Sequence, residues 1–166
     1  MSVSQSEKAR RFRAASDRPY SAVMSTVPKP IDLASLIPIG ASAARSVTVT
    51  RDMTVAHFHP GLPEVYGTPM MIYLMEVAAA EAIQPHLPEG WISVGSEVNV
   101  RHLAATPVGL TVTATARVTR VSDGTIAFLV DAHDGVEKIG EGTHERAPVE
   151  LARFEKRFRR KGPPLA

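Results

Sequence analysis

The sequence predicts an α+β fold in which one long buried helix is wrapped by an antiparallel β-sheet. Three observations predict it. A single long apolar segment, residues 68–84, carries helix punctuation at both ends. Alternating segments follow it, and Asp-Gly pairs stand between the later ones at hairpin positions.

Residues 1–44 read as an N-terminal extension, flexible or docked on the surface. They are rich in Ser, Arg, Pro and Ala and poor in large apolar residues before Ile31. The Ser/Arg bias also fits a transit peptide, with a disordered arm as the preferred reading. Residues 31–39 carry enough apolar side chains to dock. The domain is expected at 45–152, opening with the short alternating strand SVTVT after Arg45. Residues 57–67 contain Pro60, Gly61, Pro63 and Gly67 and read as a loop. Thr68 then serves as an N-cap, with Pro69 at the first helical position, where its missing N–H costs nothing. The helix is apolar nearly all round, which implies burial. It ends near Gln84, just before Pro85. Residues 92–104, 108–122, 125–133 and 136–149 alternate as strands of a meander, with tight turns at Asp123-Gly124 and Asp134-Gly135. Residues 153–166 form a basic tail.

Composition sets bounds on function. At 166 residues the chain suits one domain with a full core. No apolar run reaches the roughly 18–20 residues of a bilayer span, and the first thirty residues lack the apolar core of a secretory signal. The absence of cysteine excludes disulfides, thiolate nucleophiles and thiolate-ligated zinc, and a cytoplasmic location is the expectation. Charge is unevenly spread. Residues 1–20 carry net +3 and residues 153–166 net +5, which leaves −6 on residues 21–152. The body is acidic, which argues against nucleic acid as a partner, and no membrane partner is expected.

Thr68, Glu76 and His102 are a hydroxyl, an acid and an imidazole directed toward one core, the parts of a hydrolytic site. Glu76 interrupts the apolar helix. Burial without a partner would raise its pKa or cost several kcal/mol, so it pairs with a base, meets a solvent pocket or acts in catalysis. On the strand, Val94, Ser96, Val98, Val100 and His102 share one face, and Glu97, Asn99 and Arg101 the other. His102 is then either a hydrogen-bonded core histidine or half of an acid/base pair with Glu76. Thr68 is fully explained as a cap; in the functional reading, the N–H groups of the same helix end hold an oxyanion. His57 and His59 form an HxH pair without an acid and read as loop residues. Arg146, beside His144 and Glu145, meets a phosphate or carboxylate or pairs with Glu145. No Gly-rich phosphate loop is present. The final RFEKRFRRK interleaves Phe154 and Phe158 with basic residues; a solvated helical end or tail is preferred over a contact with an anionic surface.

The blocks GTPMMIYLMEVAAAEAI, VGSEVNVRHLAATPVG and IGEGTHER together resemble the fluoroacetyl-CoA thioesterase-like branch of the hotdog-fold thioesterases, over about residues 45–154. The resemblance implies a helix wrapped by an antiparallel sheet. It implies a homodimer with acyl-CoA bound where two protomers meet. It makes Thr68, Glu76 and His102 the catalytic set, puts Gly95 by the acyl carbonyl and Arg146 near the substrate. The fluoroacetate-specialised member has a phenylalanine lid six residues before the threonine. That position is Leu62 here, so a different acyl group is expected. The implied reaction is metal-independent hydrolysis of a short or medium acyl-CoA to free acid and CoA. No cofactor is implied beyond the coenzyme A of the substrate. Glu76 attacks the carbonyl or activates water, and His102 acts as acid/base. The alternative is a non-catalytic acyl-CoA or small-acid binding protein on the same fold.

Overall fold

A computed structural model of the chain describes residues 31–122 and 124–162. Most of the N-terminal extension and Asp123 of the first Asp-Gly pair lie outside the described residues. In chain order the elements are α1 (Leu33–Leu36), β1 (Ser42–Thr48), α2 (Val55–Phe58), α3 (Thr68–Ile83), β2 (Trp91–His102), β3 (Thr111–Ser122), β4 (Thr125–His133), β5 (Lys138–Glu150) and α4 (Leu151–Arg159). Regular structure therefore starts before Arg45. Leu33 and Ile37 are buried, and Gly40 and Ala41 exchange backbone hydrogen bonds with Val118 of β3.

The five strands form one antiparallel sheet in the order β1-β3-β4-β5-β2. The simple meander expected after the helix is corrected here: β2 pairs with β5 at the far edge, and β3 pairs with β1. The segment from Leu103 to Leu110 has no two-residue turn. It carries Pro107 and a left-handed Gly109 (φ 96°), and it crosses over instead of reversing. The Asp134-Gly135 turn forms as expected. Asp134 Oδ1 accepts from the N–H groups of Val136 and Glu137, and Thr106 Oγ1 donates to Oδ2.

The core lies between α3 and the middle of the sheet. Val112, Ala114, Ala116 and Val118 of β3 and Ile126, Phe128, Val130 and Ala132 of β4 alternate inward. Against them α3 buries Met71, Leu74, Met75, Ala78, Ala79, Ala82 and Ile83, a 3–4 spacing. Small residues on both sides let helix and sheet approach closely. Gly140 of β5 suits that approach, because a Cβ there would lie 2.5 Å from Met71 Sδ and push the methionine side chain aside. The expectation of a helix buried all round is corrected. Only this one face is covered, Tyr73 is 63% exposed, and Ile72, Glu76, Val77 and Ala80 are half-buried.

Candidate active site

Helix α3 begins one residue earlier than a Thr68 cap would place it. Gly67 is the N-cap, Thr68 is the first helical residue, and no side chain caps the helix end. The Thr68 hydroxyl is therefore free of the cap role and sits 2.8 Å from His102 Nδ1. A shallow cleft opens there, walled by Val65, Tyr66, Leu103 and Ala104. Tyr66 is buried and donates to the Met70 carbonyl, and burial pushes its phenol up to about 12. Burial likewise pushes the His102 imidazole below its ordinary value. His102 Nε2 is buried with no hydrogen-bond partner. Such an orphan costs on the order of 1–3 kcal/mol.

A second cluster surrounds Glu76. The pairing of β2 with β5 slips between Gly95 and Glu97, so Ser96 is a bulge. One extra residue reverses the alternation. On the N-terminal side of the bulge, Trp91, Ser93 and Gly95 face the helix, as do Val98, Val100 and His102 beyond it. The expected placement of Val94 and Ser96 on that face is thereby corrected. Gly95 lies directly under the carboxylate, where a Cβ would be 3.2 Å from Glu76 Oε1 and 3.2 Å from His144 Cε1. A Cβ at this position would make Glu76 or His144 give way by a few tenths of an ångström.

Arg146 holds the cluster together. Its side chain is 7% exposed, whereas that of Glu76 is 36% exposed, and they stand 3.8 Å apart. Arg146 Nε donates to Ser93 Oγ (2.9 Å), one terminal nitrogen to the Ser93 carbonyl (2.8 Å), and the other to the Glu76 carbonyl (3.2 Å). The last nitrogen also lies 3.1 Å from His144 Nε2. His144 Nδ1 is 2.7 Å from the Glu97 carbonyl, which can only accept. The proton therefore sits on Nδ1, and Nε2 accepts from Arg146. Burial first, and the Arg146 charge as well, push the His144 imidazole down, so it is held neutral. The suggested pairing of Arg146 with Glu145 does not occur. Neighbours on a strand point to opposite faces, and Glu145 pairs with Arg120 on the outer one.

The two clusters do not meet within one chain. Thr68 and Glu76 are eight residues apart on α3, a rise of about 12 Å. Gly95 and His102 are seven residues apart on β2, about 20 Å. The Glu76–His102 pair expected from facing elements is thus absent inside a protomer. Leu62 is 49% exposed on the loop before α3 and does not line the cleft at Thr68. His57 packs edge-on against Phe58 in α2. Sequence reasoning gave His144 no role, although its i,i+2 spacing from Arg146 put both on one face. Ser93 was hidden by the bulge.

This wrapped-helix architecture is that of the hotdog thioesterases. Residues 49–152 match the family model described as fluoroacetyl-CoA-specific thioesterase, and the chain belongs to that family. A fluoroacetyl-CoA thioesterase of Streptantibioticus cattleyicolor is 41% identical over 131 residues, 75% of this chain and 94% of that protein. A solved structure of the fluoroacetyl-CoA thioesterase superposes with a TM-score of 0.72 at 41% identity, covering 76% of this chain and 98% of its own. A hot-dog-like protein from Thermanaerovibrio acidaminovorans gives 0.72 at 30% identity, covering 80% and 99%.

Proposed function

We propose that the protein is an acyl-CoA thioesterase, hydrolysing a short or medium acyl-CoA to the free acid and CoA. The observation that carries this reading is the Glu76 carboxylate, partly open to solvent yet fixed over Gly95 by a buried arginine. A thioester carbonyl laid over the glycine would meet the acid with no side chain in the way. Glu76 either attacks the carbonyl carbon or takes a proton from an attacking water. His102 moves the proton that the departing sulfur needs, and Thr68 orients its ring. Backbone N–H groups near Gly95 or at the start of α3 hold the oxyanion. Arg146 touches the acid rather than solvent, so it positions Glu76. The chemistry uses no metal or cofactor beyond the substrate's own coenzyme A. The non-catalytic binding protein finds no support among these relatives.

The working unit in this reading is a homodimer. β2 is an edge strand whose outer side has no partner among the described residues. Antiparallel pairing of two copies about a two-fold axis between Val98 and Asn99 would set Gly95 opposite His102 of the partner subunit. One chain's Glu76 would then face the other's Thr68–His102 pair. The acyl group differs from fluoroacetyl, because Leu62 replaces the aromatic lid. Residues 1–44 and 153–166 flank the catalytic domain at 45–152. A cytoplasmic location goes with a product that is a free thiol.

The test is free-thiol release from acyl-CoAs of graded chain length, aryl-acetyl included. Turnover is expected on one chain-length class, falling by about 10²–10⁴-fold in Glu76→Gln and in His102→Ala. Wild-type turnover in both variants would overturn the assignment.

A further inference from the structure

Four cations of α4 and its C-terminal end share one cleft and have no acidic partner among the described residues. Arg153, Lys156, Arg157 and Arg160 make no ion pair among the described residues, nor do Lys161 and Arg117, whereas Arg45, Arg51, Arg101, Arg120, Lys138, Arg146 and Arg159 do. All four line one cleft of about 690 Å³, together with Trp91 and Phe154, and Glu150 is its one carboxylate. That volume is within the usual range of small-ligand sites. α4 is tied beside the start of β2 by a hydrogen bond from Leu151 N–H to the Gly90 carbonyl (2.9 Å).

We infer that this cleft seats the phosphorylated adenine nucleotide end of the CoA substrate, an inference that rests on the thioesterase reading. Position supports it. Trp91 lies on the same side of β2 as Gly95, four residues away, about 13 Å along the strand. A pantetheine arm leading from a carbonyl over Gly95 can cover such a distance. Chemistry supports it too. Phosphates call for unpaired cations, and an adenine ring stacks on an indole or phenyl face. The electrostatics of the chain point the same way. Residues 21–152 carry net −6 and residues 153–166 net +5, so the field of the domain favours a polyanion at this basic end over the acidic body. The cations also converge on a concave, aromatic-walled site, which suits a compact nucleotide better than a flat lipid surface.

Trp91 is the only tryptophan of the chain, so its emission reports on the cleft. The full-length protein is titrated with adenosine 3′,5′-bisphosphate, and kinetics are compared on an acyl-CoA and on the matching acyl-pantetheine, which lacks the nucleotide. Saturable quenching is expected in the wild type and its loss in Arg153→Glu/Arg157→Glu. The same variant should raise KM for acyl-CoA about tenfold, the scale of two exposed charge-assisted contacts, with kcat kept and acyl-pantetheine kinetics unchanged. Arg153→Gln/Arg157→Gln should show the same direction at smaller size, which guards against a charge reversal that unsettles α4. No quenching with an unaltered KM would overturn the inference. Equal losses on both substrates would do so in favour of a structural helix, and response only to phosphatidylglycerol vesicles in favour of a lipid surface. If the wild type turned over neither substrate, the thioesterase reading would fall, while the titration would still decide whether the cleft takes the nucleotide.

Discussion

His144 is a buried imidazole and His102 a half-buried one, and their partners use them differently. His144 has both ring nitrogens committed, one to the Glu97 carbonyl and one to Arg146. His102 has one nitrogen on Thr68 and the other unpartnered, which suits the proton-carrying role proposed for it. Burial is the first cause of a lowered pKa in each. A lowered folded-state value means that the unfolded chain takes up protons first as pH falls. The stability these groups contribute is therefore present above about pH 6.5, the unfolded value, and is lost as pH falls through the folded values. Melting temperature should be level from pH 8 to 7 and decline below 6.5, ahead of general carboxylate titration. The acid limb of kcat/KM should have its midpoint below about 6.5. A limb above that value, or a melting temperature flat down to pH 5, would contradict the assigned environments.

At the scale of elements, the β4–β5 turn sets the register that brings His144 and Arg146 under α3. Asp134 is the hinge of that turn, because its carboxylate satisfies two backbone N–H groups and the Thr106 hydroxyl. Those hydrogen bonds hold its carboxyl below the ordinary value. Asp134→Ala should lower stability by about 2 kcal/mol in chemical denaturation, with turnover per folded molecule kept. A loss under half of that would mean that the strands alone fix the register. This turn was legible in the sequence because Asp-Gly chemistry is local, and so were α3 and the strands, whose periods are 3–4 and 2. The bulge at Ser96 was not legible. One inserted residue has no signature of its own, and it exchanged Val94 and Ser96 for Ser93 and Gly95 on the helix side. The pairing of β2 with β5 was equally hidden, since it follows from a crossover and not from any residue within the strand. Thr68, Glu76, Gly95, His102 and Arg146 could be named from the chain, but their division into two clusters depends on distances that only the folded backbone sets.

For the whole molecule, that division decides what the functional unit is. Each chain carries one acid cluster and one threonine–histidine pair too far apart to act on the same carbonyl. Each also exposes an unpaired edge on β2 and a half-covered apolar face on α3 that includes Ile72, Tyr73 and Val77. A two-fold pairing along β2 would remove both liabilities and build two composite sites, each drawing Glu76 from one subunit and His102 from the other. Sedimentation should then give a dimer, and Val98→Asp with Tyr73→Asp should give an inactive monomer. Mixing provides the sharper test. Glu76→Gln and His102→Ala are each expected to be inactive alone. In a mixed dimer, one site carries both substitutions and the other carries neither. Unfolding and refolding the two together in equal amounts should restore about a quarter of wild-type activity, because half the dimers are mixed and each has one intact site. If the catalytic set lay within a single chain, every site in the mixture would keep one lesion and no activity would return. Recovery on mixing would therefore assign the acid and the imidazole to different subunits without a bound substrate having to be seen.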